Sequence, residues 1–184
     1  MIVAIDQSDI VLDKKLQHMC KKPFYGHPHG CPNYGKKKGC PPQPLLDRMF
    51  DFDRQLYVIY TAFPVGKFAE RMHKRHADWT DRQCYNPRLW QGTARKQHDA
   101  DVQQFLKQYV GCAIIKSPEA HGVNVSGLMQ SLGVILDWHW PPKHSLENVV
   151  YQVSLGGHPA KKNENARIAE DACMHRASSF GNNT

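Results

Sequence analysis

The sequence has no apolar run approaching the ~18 residues that a membrane-crossing helix requires. Its first residues, Met1-Ile2-Val3-Ala4-Ile5-Asp6, lack the basic region and long apolar stretch of a secretory signal. The expectation is a cytoplasmic protein with no membrane partner. No Cys-x-x-Cys pair occurs either. That absence argues against an ordinary structural zinc site, in which a tight turn presents two thiolates to one tetrahedral ion. There is no internal repeat and no RNA-recognition motif. Acidic side chains are the scarcer charge, 17 Asp and Glu against 24 Lys and Arg, giving +7 with the 11 histidines neutral. This balance favours anionic partners, whether nucleic acid, phosphorylated metabolites or an anionic inorganic cofactor, without choosing among them.

What is present suits one folded domain. The 184 residues are 41% apolar, 22% charged and 10% aromatic, so the chain is neither disordered by composition nor low in complexity. Residues 20 to 44 carry six prolines and four glycines, which exclude a long helix or central strand. Loops of this length are uncommon unless functional or disordered. The three cysteines, two histidines and three aromatic side chains of this one argue for order, and a metal centre is the economical cause.

Outside the loop the pattern is regular. Strands are expected at Leu56–Phe63, Gly111–Ile115, Val134–Trp138 and Val149–Leu155, and either Ile2–Ile5 or the stretch around Ile10–Leu12 could add another. Helices are expected over 65–76, over 87–109 from an Asn86-Pro87 start, and over 123–132 up to Gly133. The polar end suggests a helix over 163–177 and a tail from Ser178. The fold expected is α/β: a single-domain mixed sheet flanked by helices over residues 1–157, with the cysteine loop at 20–44 and a polar C-terminal extension at 158–184. Trp138 and Trp140 are expected in core and edge packing.

Six cysteines without an export signal read as thiols or metal ligands rather than disulfides. Cys20, Cys31 and Cys40 share the loop. Its wide proline- and glycine-rich span suits an object larger than one ion, and a cubic iron–sulfur cluster asks for thiolates on separate corners. The run Cys20, Gly26-His27-Pro28-His29-Gly30-Cys31-Pro32-Asn33-Tyr34-Gly35 and Cys40-Pro41-Pro42 resembles the signature of a little-characterised family of predicted metal-binding proteins, common in anaerobic bacteria and archaea, with a Cys, Cys-x-x-Tyr-Gly, Cys-Pro-Pro pattern. Trp90–Lys96 and Pro118–Val125 resemble it too, so the likeness spans residues 20 to about 155. The resemblance implies cysteine-bound metal of the iron–sulfur kind and no settled reaction.

Cys84 is the candidate fourth ligand, since it precedes a helix start that would stabilise a thiolate; a buried, inert cysteine is the alternative. Cys112 reads as core and Cys173 as uninvolved. If three thiolates alone ligate, one iron is left open to water or substrate. Arg88, Gln91 and Arg95 recur on one face of the helix from Pro87 and could bind a cofactor or an anionic group, or simply form a solvated face. Glu119 and His121, between a strand and a helix, are candidate catalytic groups, with capping as the alternative for Glu119. His27 and His29 could ligate metal or bond to backbone. Lys36-Lys37-Lys38 could offset an anionic cluster, and with Tyr25 and Tyr34 keeps nucleic acid open as a partner.

The functional expectation is a metal-binding protein with an iron–sulfur cluster of the four-iron type (4Fe-4S), in redox or cluster-assisted sulfur chemistry on a small anionic substrate. Such an enzyme would be an oxidoreductase or of the desulfurase type, with a redox protein as a further candidate partner. The alternatives are a zinc-stabilised, non-catalytic module binding nucleic acid or protein, and a metal carrier.

Overall fold

The computed structural model describes residues 1–23 and 26–161. The expectations for Tyr25, Cys173, the 163–177 helix and the tail lie outside the described residues. Four strands, β1 (Ile2–Ile5), β2 (Leu56–Phe63), β3 (Ala113–Ile115) and β4 (Val150–Gly157), form one sheet in the order β1-β2-β4-β3. All three pairings are antiparallel, so the sheet is not mixed; Val58 lies opposite both Val3 and Leu155, and Ile115 also pairs with Leu155. Among the described residues four α-helices accompany it: α1 (Val65–Arg75), α2 (Asp81–Cys84), α3 (Pro87–Gln108) and α4 (Val125–Ser131).

β2 shows why the sequence yields two layers. Successive side chains of a strand point to opposite faces, and both of its faces are apolar. Leu56 and Val58 join a core with Ile5, Leu46, Phe50, Leu155, and Val125, Leu128 and Met129 around α4. Ile59 faces the other way, under Val102 and Phe105 of α3. Gly156 permits that approach, because a Cβ there would lie 2.5 Å from the Phe105 ring. A third cluster, Phe63, Val65, Ala69, Met72, Cys84, Tyr85, Trp90 and Ala94, fills the junction of β2 with α1, α2 and the start of α3.

α3 begins where its sequence says it should. Pro87 occupies the first turn, where no N–H is needed, and the Asn86 side chain accepts the Arg88 N–H at 3.1 Å. The helix is fastened to the sheet by a buried polar chain as well as by apolar packing. Thr61 Oγ1 donates to Asp101 at 2.5 Å and must therefore accept from His98 Nδ1 at 2.9 Å; that leaves Nε2 to accept from Ser154 Oγ at 2.6 Å.

Two expectations fail in the segment before β4. Val134–Trp138 is irregular rather than a strand. Val134 and Leu136 do pack on the first core while Ile135 is 84% exposed, so the alternation is real. However, the run joins neither edge of the sheet and makes no ladder. Trp138 is 68% exposed instead of packed, whereas Trp140 lies against Tyr85 and Trp90. Past residue 157 the chain still pairs with the body: the Ala160 N–H donates to the Met49 carbonyl and the Asp51 N–H to that of His158.

Candidate functional site

The cysteine loop leaves and re-enters the body at the α4 side of the sheet. It is entered through a 3₁₀ segment, Lys14–Lys21, whose N-terminus is capped by Asp13 accepting the Lys15 N–H at 2.8 Å. Cys20 is near the end of that segment. The chain then turns back so that the Cys31 N–H donates to the Cys20 carbonyl at 2.7 Å, which sets the two cysteines side by side. Gly30 makes this approach feasible: its φ is +80°, and a Cβ would lie 2.7 to 2.8 Å from the Lys21 and Cys20 carbonyl oxygens.

The second half of the loop is a run of tight turns. The Gly35 N–H donates to the Pro41 carbonyl at 2.8 Å, and the Cys40 N–H to that of Lys37 at 2.9 Å. Gln43 Nε2 donates to the Cys40 carbonyl and Gln17 Nε2 to the Gln43 carbonyl, each at 2.7 Å, linking the Cys40 turn to the segment that carries Cys20. Gln17 is 1% exposed and its Oε1 has no protein partner, a buried acceptor at the root of the loop that calls for a donor from water or a bound group.

Cys20, Cys31 and Cys40 are each partly exposed. Cys20 and Cys31 line an open cleft of about 380 Å³ together with His29, Tyr34, Lys21 and Lys36. Lys21 Nζ stands 4.9 Å over the Tyr34 ring. Burial raises the Cys20 thiol pKa, and the neighbouring Cys31, Cys40 and Glu119 raise it further.

Glu119 and His121 come from a 3₁₀ turn, Pro118–His121, set against the Cys20 segment: the Asp13 N–H donates to the Gly122 carbonyl at 2.8 Å. His121 is buried and its Nδ1 lies 2.7 Å from the Pro44 carbonyl. A carbonyl can only accept, so Nδ1 carries the proton and Nε2 keeps a lone pair. Burial lowers the His121 pKa and thereby favours this neutral form. Glu119 keeps exposed surface, yet the protein crowding its carboxyl raises its pKa by loss of solvation.

Several expected site residues are elsewhere. Cys84 is fully buried among the third cluster's apolar side chains; burial raises its pKa, and Asp81, not a loop thiol, is the neighbour that adds to the rise. Arg88 and Arg95 are exposed and Gln91 partly so, all on α3, which covers the sheet face opposite the loop. The stripe lies along α3 and does not join the thiols. Cys112 packs at the edge of the α3 core.

Among the described residues, the loop thiols do not form a set of three ligand atoms within 4.8 Å of one another. A tetrahedral zinc with Zn–S bonds of about 2.3 Å brings its thiolates to about 3.8 Å. One set that does meet the spacing, His73, Asp81 and His144, was not visible in the sequence, because its members come from α1, α2 and the irregular segment before β4. Comparison of the chain with family models, with curated proteins and with solved structures found no match.

Proposed function

We propose that Cys20, Cys31 and Cys40 hold an iron–sulfur cluster of the four-iron type, used in redox or cluster-assisted sulfur chemistry on a small anionic substrate. The observation that carries this reading is the pairing of Cys20 with Cys31, side by side along one open cleft. Bound there, a cluster supplies an electron and, at an iron without a cysteine, a Lewis acid for a substrate sulfur or oxygen.

The chain's own residues provide the rest. Lys21 and Lys36 line the cleft and offset the negative charge that three thiolates bring. The same lysines attract an anionic substrate. Glu119, on the 3₁₀ turn set against the Cys20 segment and with a pKa raised by burial, holds a proton to higher pH than an ordinary carboxyl and is the proposed proton donor. The Pro44 carbonyl fixes the tautomer of His121, whose Nε2 is the proposed acceptor. Since Cys84 is buried among the apolar side chains of the third cluster, the proposed ligand set is three cysteines, with the remaining iron for substrate.

A second reading rests on His29, which lines the same cleft as Cys20 and Cys31. A modest closure of the loop would give a Cys₃His zinc site and a binding module with no redox chemistry. Metal retention in variants prepared without oxygen tests the ligand set. Cys31→Ala and Cys40→Ala are expected to lose metal and Cys84→Ala to keep it. Equal retention by all three would remove the loop assignment.

A further inference from the structure

We infer that His73, Asp81 and His144 form a second, separate site for a divalent transition-metal ion of the zinc class. One ligand atom from each lies within 4.8 Å of the other two. An ion at the centre of a triangle with 4.8 Å edges is about 2.8 Å from each corner, and zinc bonds to nitrogen and carboxylate oxygen are about 2.0–2.2 Å. The ligands therefore close by less than about 0.8 Å, within the reach of side-chain rotation. One edge is shorter already: His73 Nε2 and Asp81 Oδ1 are 2.9 Å apart.

The surroundings have the form expected of a metal-bound imidazole, which is usually oriented by a hydrogen bond at its other nitrogen. The Tyr85 hydroxyl lies 2.9 Å from His144 Nδ1 and is itself held by Asn148 Nδ2 at 2.9 Å. His144 Nε2 is thus the atom left for an ion. The two imidazoles meet edge to face, with centroids 5.4 Å apart. A second carboxylate stands at the rim: Glu70 Oε2 is 3.5 Å from His144 Nε2, while its Oε1 pairs with Lys74 at 3.3 Å. Glu70 can take the fourth position or leave it to water.

His73 and His144 are 28% and 29% exposed, so an ion can enter from solvent. The site shares no residue with the cysteine loop. Its effect would be mechanical, because it ties the irregular segment around His144 to α1 and α2. That segment already lies against α1, where the Gly66 N–H donates to the Asn148 carbonyl at 2.9 Å. The imidazoles are soft enough for zinc, cobalt or nickel, whereas calcium and magnesium prefer oxygen donors.

The test is cobalt(II) and zinc titration of the full chain, beside His73→Gln, Asp81→Asn, His144→Gln and a variant with Cys20, Cys31 and Cys40 replaced by serine. Cobalt on nitrogen and oxygen ligands gives visible d–d bands without the sulfur-to-metal charge-transfer absorption of thiolate ligation. The serine variant is expected to bind one equivalent with d–d bands alone, and zinc should raise its unfolding midpoint. His73→Gln and His144→Gln should weaken that component at least about 100-fold, and so should Asp81→Asn at the exposed member. The inference is overturned if the three variants retain full affinity, or if all cobalt absorption is of the thiolate type and vanishes in the serine variant. The latter result would leave the loop assignment standing.

Discussion

Replacing Gly30 by alanine separates two effects that glycines in a metal loop usually combine. Gly26, Gly30, Gly35 and Gly39 all have positive φ, between 68° and 82°. Alanine in the left-handed region costs about 1–2 kcal/mol at any of them. Space differs: nothing lies within 4 Å of a Cβ at Gly35 or Gly39, whereas at Gly30 it would meet the Lys21 and Cys20 carbonyl oxygens at 2.7 and 2.8 Å. Both neighbours are backbone and cannot swing away. The chain must open, and in opening it breaks the 2.7 Å hydrogen bond from the Cys31 N–H to the Cys20 carbonyl, worth about 0.5–1.5 kcal/mol. Since the thiols are presented by this closure, the damage falls on metal affinity more than on global stability. Gly30→Ala should bind metal about 2- to 13-fold more weakly than Gly35→Ala or Gly39→Ala, the factor that the ~0.5–1.5 kcal/mol of the broken bond gives, since the left-handed cost is common to all three. The assay is chelator competition on reconstituted protein. Equal affinities in the three variants would refute the claim that the Cys20–Cys31 closure builds the site.

Other consequences are independent of that one. Because burial and its neighbours raise the Cys20 pKa, metal must displace a proton; reconstitution should release protons at neutral pH, and affinity should fall as pH falls, as read by calorimetry in buffers of different ionisation enthalpy. Burial lowers the His98 pKa from its ordinary 6.5, so folding favours the neutral ring. That contribution is complete above pH ~6.5 and is lost as pH falls from there through the folded-state value, so denaturant midpoints should drop below pH ~6.5. Thr61→Val interrupts the chain from Asp101 to Ser154 and leaves His98 Nδ1–H unpaired, at a cost of about 1–3 kcal/mol by urea denaturation. Cys84→Ala should keep metal while losing about 1–2 kcal/mol of stability to the void left in the third cluster.

The parts of the fold that local rules govern were legible in the sequence. Asn86-Pro87 marked the start of α3, the β-branched and aromatic run marked β2, and Gly133 marked the limit of α4. Val134–Trp138 misled because alternation reports burial on one side, whereas a strand also needs a partner edge, and this run pairs with none of the four strands. In the site, proline and glycine density located the loop, and loop closure then set Cys20 beside Cys31. Cys84 had the right residue type and a helix end, but its place was decided by apolar packing with Phe63, Trp90 and their neighbours, which spacing does not encode. The same limit hid His73, Asp81 and His144: three segments converge there only after the sheet has formed, and no interval along the chain foretells it.

Iron, acid-labile sulfide and zinc, quantified on protein purified without oxygen and followed by electron paramagnetic resonance, test the central claim most directly. Iron and sulfide near four per chain, lost together in Cys31→Ala and unchanged in Cys84→Ala, are the predicted result. Zinc without sulfide, retained at the loop under the same conditions, would contradict it.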